Sequence, residues 1–131
     1  MTRIARAGAA YWGLIFGLGF ILGTLRVLWL APLVGETAAA LIEIPVILGA
    51  SWLAARWLVA RFDIRRGGEA LAMGALAFAL LMAAELVLGV TLFAMSAGEW
   101  LASIAQAPGL YGLIGQVVFA LMPWVVVRQF R

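Results

Sequence analysis

The sequence predicts an all-α membrane protein, a single domain over residues 1–131 built as a four-transmembrane-helix bundle. Composition is the first reason. Of the residues, 66% are hydrophobic and 11% charged, and the mean hydropathy is +1.12, whereas ordinary soluble domains carry about 25% charged residues. A soluble fold of this size cannot hide so much apolar surface, so lipid is the solvent. The second reason is length: apolar runs of about twenty residues, enough to cross a hydrocarbon layer of roughly 30 Å as helices, recur along the chain. The third is punctuation, because Pro, Gly and charged residues separate those runs.

The first span is read over residues 9–30. The segment "MTRIARAGAAYWGLIFGLGFILG" has the charged start and apolar body of a signal peptide, but its apolar stretch is too long and no small-residue cleavage site follows, so it is kept as a span. On it Gly13 and Gly17, and Gly19 and Gly23, stand four apart. That spacing lets helix backbones approach closely where no hydrophobic effect drives association, so these glycines are the candidate packing positions. The turn "APLVGE", closed by Pro32 and Gly35, leads to the second span over 37–60. "RFDIRRGGE", charged and Gly-rich, leads to the third over 70–94, where Ala70, Gly74 and Ala77 form another row of small residues.

The third connection, "MSAGEWLASIAQAPG", is mildly amphipathic, with Trp100, Leu101, Ile104 and Ala105 able to share a helical face. It reads as a helix lying on the membrane surface or as a plain loop. It ends at Pro108 and Gly109, where the fourth span, 109–127, begins. Pro45 and Pro123 fall inside spans, which membranes tolerate because neighbouring groups satisfy the freed carbonyls.

Arginine placement sets orientation. Arg3 and Arg6 precede the first span, Arg56, Arg61, Arg65 and Arg66 flank the second turn, and Arg128 and Arg131 follow the fourth span. With an even number of crossings these regions share one side, which predicts that both termini are cytoplasmic, in a bacterial inner membrane. Trp12, Trp29, Trp57, Trp100 and Trp124 fall near span ends, where amphipathic rings sit at headgroup level. A shift of 63 residues lays "GETAAALIEIPVILG" over "GEWLASIAQAPGLYG", a weak tandem repeat of two-helix hairpins. The alignment sets Pro45 over Pro108, which would place Glu43 at the interface rather than inside a span.

The chain contains neither cysteine nor histidine. That removes disulfides, thiolate nucleophiles, histidine ligation of zinc or haem, and imidazole acid/base chemistry together, so no cofactor and no metal is expected. The net charge of +3 is a topology signal rather than a nucleic-acid footprint, since the arginines flank apolar segments and no soluble basic domain accompanies them.

Each span sends one strongly polar residue to a similar depth in the outer half of the bilayer: Arg26, Glu43, Glu85 and Gln116. Counted from the outer span ends, the first three lie roughly 6, 9 and 13 Å deep at 1.5 Å per residue. A lone charge facing lipid at a helix centre costs about 2.5 to 3.5 kcal/mol, so such side chains turn inward and pair. The expectation is one shared interhelical cluster, a candidate ion or proton site with a net negative charge if both carboxylates ionise. The preferred reading is structural: buried pairs of this kind fix helix register, with Arg26 alternatively snorkelling to the outer interface beside Glu36.

Known four-span families are excluded on residues. Small multidrug-resistance transporters place an acid in their first helix, where this chain has Arg26 and none. The fluoride channels have a Gly-rich first helix ending near an arginine, as "GLGFILGTLR" does, but their pore pattern needs asparagine and this chain has none. Glutathione-linked membrane enzymes carry a Glu near a Pro in helix two, as "IEIP" does, yet their Arg and Asn partners are missing.

The functional expectation is a non-enzymatic structural or accessory subunit, embedded in the lipid bilayer and assembled with itself or in a larger membrane complex. The alternative is a small homo-oligomeric channel or proton-coupled transporter using the Arg/Glu cluster. Two carboxylates could do acid/base work, but no nucleophile or metal-ligand set accompanies them.

Overall fold

The computed structural model describes residues 2–92, 94–106 and 109–129. Pro108 and Arg131, used above, lie outside the described residues. Among these residues there are helices and connections and no strand. Helix α1 (Arg3–Leu25) continues without a non-helical residue through a π-helical turn (Arg26–Leu30) into the short α2 (Ala31–Val34); α3 is Glu36–Arg61, α4 Gly67–Thr91, α5 Ala97–Ala105 and α6 Gly109–Gln129. Four helical segments are long and apolar enough to cross a membrane: Arg3–Val34, α3, α4 and the part of α6 from Leu110 onward. This is the architecture of a multi-pass membrane protein.

Local chemistry sets the ends. Thr2 caps α1, its hydroxyl accepting from the Ala5 N–H at 3.1 Å. Pro32 has no N–H to give the carbonyl four residues back, and its ring crowds that carbonyl. Just ahead of it the helix slips to π register, with the Ala31 N–H donating to the Arg26 carbonyl. The helix then ends at Gly35, whose φ of +89° only glycine adopts freely. At the other end of α3, Asp63 takes the left-handed conformation (φ +54°), which Asp tolerates better than most residues. The Ile64 N–H reaches back to the Val59 carbonyl at 2.9 Å, and the Ile64 side chain is buried, the hydrophobic contact that commonly follows such a helix stop. The sequence gives the whole stretch "RFDIRRGGE" to this connection, but its last three residues, Gly67, Gly68 and Glu69, already belong to α4.

The region expected to be either helix or loop contains a helix. Ser96 accepts from the Glu99 N–H at 3.0 Å, and Glu99 Oε1 accepts from the Ser96 N–H at 3.1 Å, a reciprocal cap that starts α5. The aligned stretches of the sequence repeat therefore take different forms. Pro45 lies inside a continuous α3, whereas the matching segment divides between α5 and α6. The third span ends at Thr91, short of the expected residue 94.

The four long helices form a ring in the order α1, α3, α6, α4, each packed on the next and α4 closing on α1. One end of the bundle carries the arginines. Arg3 donates to the Phe62 carbonyl at 3.2 Å and pairs with Glu69. Trp52 Nε1 donates to Gln129 Oε1 at 2.9 Å, and Arg128 stacks over Trp124, 5.1 Å from its ring centre. The buried core lies toward this end: Tyr11, Leu58, Met73, Phe119 and Val126 are all at most 2% exposed. Tyr11 reaches across the ring from α1 to α6, stacks on Phe119 at 4.3 Å between centroids, and donates its hydroxyl to the Phe119 carbonyl at 2.6 Å.

Candidate functional site

The four polar span residues are brought together as two pairs, not as one cluster. Arg26 Nε donates to Glu43 Oε2 at 2.7 Å, joining the π-helical turn to α3. Gln116 Nε2 donates to Glu85 Oε1, joining α6 to α4. Among the described residues no hydrogen bond or ion pair links one pair to the other. The reason is the ring: α1 and α3 are neighbours, α4 and α6 are neighbours, and the two polar contacts bridge opposite sides of the bundle.

The pairs also differ in depth. Because α1 continues through the π-helical turn to Val34, Arg26 lies about 12 Å from that helix end, deeper along the helix than a span ending at residue 30 implies. The first crossing is 32 residues long, about 48 Å, which exceeds the roughly 30 Å hydrocarbon thickness. Depth is better measured from the arginine end. Arg6 to Arg26 rises about 30 Å, and Arg61 to Glu43 about 27 Å. The ion pair therefore lies about one hydrocarbon thickness, roughly 30 Å, from the arginine end. Glu85 is about 24 Å from Glu69, and Gln116 about 18 Å from Arg128, so this second pair lies nearer the arginine end than the first. Thr24 and Thr91 do not join either pair, since each hydroxyl donates to the carbonyl four residues back in its own helix.

Beside the ion pair a groove of about 340 Å³ opens between the first crossing and α3. Arg26 and Glu43 are its polar residues, and Leu22, Leu25, Trp29, Leu33, Ile42 and Val46 supply most of its apolar wall. Trp29 and Leu33 are 67% and 82% exposed, so the groove faces outward from the bundle.

Of the candidate packing glycines, Gly13 and Gly17 have open space where a side chain would stand. A Cβ on Gly19 would lie 3.9 Å from Ile47, and one on Gly23 would lie 3.7 Å from Arg26 Nη2. The closest helix approaches within the chain are elsewhere. A Cβ on Gly74 would fall 1.8 Å from the Ala120 carbonyl oxygen, and one on Gly8 would meet the Met73 carbonyl at 3.0 Å. Gly74 belongs to the small-residue row visible in the sequence. Gly8 does not stand in a small-xxx-small pair with Gly13 or Gly17, and its role depends on which residues α4 presents opposite it.

The tryptophans expected at the interface divide. Trp29 and Trp57 are exposed near helix ends. Trp100 closes over Gly89 and Trp124 over Gly67, while Trp12 stacks on Phe16 with its indole nitrogen buried and unpaired. No group of three or more acidic residues is placed to hold a metal ion among the described residues.

No protein-family model matches the chain, and no match was found among curated proteins or among solved structures.

Proposed function

We propose that this chain is a small non-enzymatic membrane subunit that acts through helix–helix contacts, in a homo-oligomer or a larger membrane complex. The observation that carries this reading is how the bundle disposes of its polar groups. Arg26 and Glu43 close on each other, as do Glu85 and Gln116. Across the ring from α1 to α6 stands the apolar Tyr11–Phe119 stack. The open face at Gly13 and Gly17 is the surface on which this reading places a partner helix. Both termini are then cytoplasmic in a bacterial inner membrane, by the rule that arginine-rich connections stay inside. The two hairpins are taken as a diverged tandem repeat.

The test is chemical cross-linking in native membranes at endogenous expression, followed by purification in mild detergent. The subunit reading expects a defined assembly that Gly13→Leu and Gly17→Leu disrupt while the chain stays folded. A protein that purifies as a monomer and cross-links to nothing overturns it.

One observation favours a second reading, an oligomeric channel or proton-coupled transporter. Glu85 is an ionisable group within the apolar layer whose one side-chain partner among the described residues is a neutral amide, and such residues mark ion and proton pathways in many transporters. Proton flux into liposomes that is lost in Glu85→Gln, with folding retained, would establish this reading; equal flux from both proteins removes it.

A further inference from the structure

We propose that the groove beside the π-helical turn binds a phospholipid with a zwitterionic headgroup bearing a primary ammonium. Arg26 holds its phosphate, Glu43 holds its ammonium, and an acyl chain lies along the apolar wall.

Hydrogen-bonding capacity left over in the ion pair is the starting point. Arg26 uses Nε and Glu43 uses Oε2; Nη1, Nη2 and Oε1 have no partner among the described residues. The side chains are 32% and 21% exposed while the groove wall itself is almost wholly apolar, so a headgroup would meet the pair at its exposed edge and an acyl chain would lie in the groove. A guanidinium with free amino groups matches phosphate oxygens in geometry and charge. A carboxylate oxygen beside it accepts from an ammonium.

Charge selects among headgroups. Arg26 and Glu43 together are neutral, so a singly anionic lipid would add an uncompensated negative charge next to the carboxylate. A zwitterionic lipid adds none, and its phosphate and ammonium complement the two ends of the pair. A trimethylated ammonium has no N–H to give Glu43, which favours the primary amine. Depth agrees, since the pair lies near the far hydrocarbon boundary, where lipid phosphates begin. Below it, Leu22, Leu25, Ile42 and Val46 offer an acyl chain a wall of matching polarity. An apolar helix seated in the same groove would leave both uncommitted groups unpaired at the edge of hydrocarbon, a cost the phospholipid avoids.

The experiment is native mass spectrometry of the full chain in detergent, titrated with phosphatidylethanolamine, phosphatidylcholine and phosphatidylglycerol of identical acyl chains. The wild-type chain is expected to retain one phosphatidylethanolamine with roughly tenfold preference over each of the others. Glu43→Gln removes the discrimination between ethanolamine and choline, and Arg26→Gln removes binding. Val46→Trp fills the groove while leaving both charged residues in place and weakens retention of all three lipids, which guards against a folding defect in the charge variants. Equal retention of the three lipids by the wild-type chain, or a preference for phosphatidylglycerol, overturns the proposal. So does near-quantitative disulfide cross-linking of Leu33→Cys to a second copy, which would show a helix in the groove.

Discussion

The two halves of the bundle are held by different means. Toward the arginine end, small residues let helices touch: Ala7, Ala55, Ala70 and Ala77 are fully buried, and Gly74 lies directly against the Ala120 backbone. Toward the other end, α1 has no buried residue beyond Ile15, a groove separates the first crossing from α3, and long polar side chains bridge the helices. Lipid is as apolar as the helix surfaces, so burial alone does not hold transmembrane helices together. Close packing or polar contacts must do so. This chain uses the first where its residues are small and the second where its helices stand apart.

Four substitutions test that contrast, starting with the packed half. Gly74→Ala places a methyl group inside the Ala120 carbonyl, forces α4 and α6 apart, and is expected to cost about 3 kcal/mol. Reversible unfolding in mixed micelles measures it, and a loss under about 1 kcal/mol would show that the two helices separate easily. Next comes the polar bridge of the open half. Gln116→Leu leaves Glu85 without its amide partner, an expected cost of about 1 to 2 kcal/mol in the same assay. A cost matching that of Gly74→Ala would mean the polar pairs carry as much of the fold as the backbone contacts.

Tyr11→Phe removes one buried hydroxyl inside the packed half, a group that also lies against the Ser51 side chain. It keeps the ring against Phe119 and deletes only the hydroxyl that donates to the Phe119 carbonyl, for an expected loss of about 1 kcal/mol. The smallest effect is expected at Gly13, where a side chain meets open space. Gly13→Leu should change the stability of the isolated chain by less than about 0.5 kcal/mol. If the subunit reading holds, the same change abolishes assembly in native membranes. Unfolding and cross-linking together thus separate a face that packs the chain from a face that recruits a partner.

Much of the architecture was legible in the sequence. Apolar run length gave four crossings, and Pro32 and Gly35 marked the first turn. Two features of those connections depend on backbone geometry instead. Asp63, not a glycine, makes the left-handed stop in the Gly-rich second connection, and the first crossing extends through a π-helical turn that no hydropathy pattern encodes. At the candidate site, the polar residues were visible because any charge in so apolar a chain stands out. Their partners were not, because depth along separate helices does not say which helices are neighbours.

The amino-acid sequence alone determined the solvent and the number of crossings, since both follow from how much apolar surface lies along each stretch of chain. It also fixed where the arginines collect. Only the tertiary structure decided that Arg26 meets Glu43 while Glu85 meets Gln116, and that Gly74 rather than Gly13 lies against a neighbouring backbone. Those outcomes depend on the order of helices around the ring and the rotation of each about its own axis. Both are set by contacts between residues far apart in the chain, which no local pattern records.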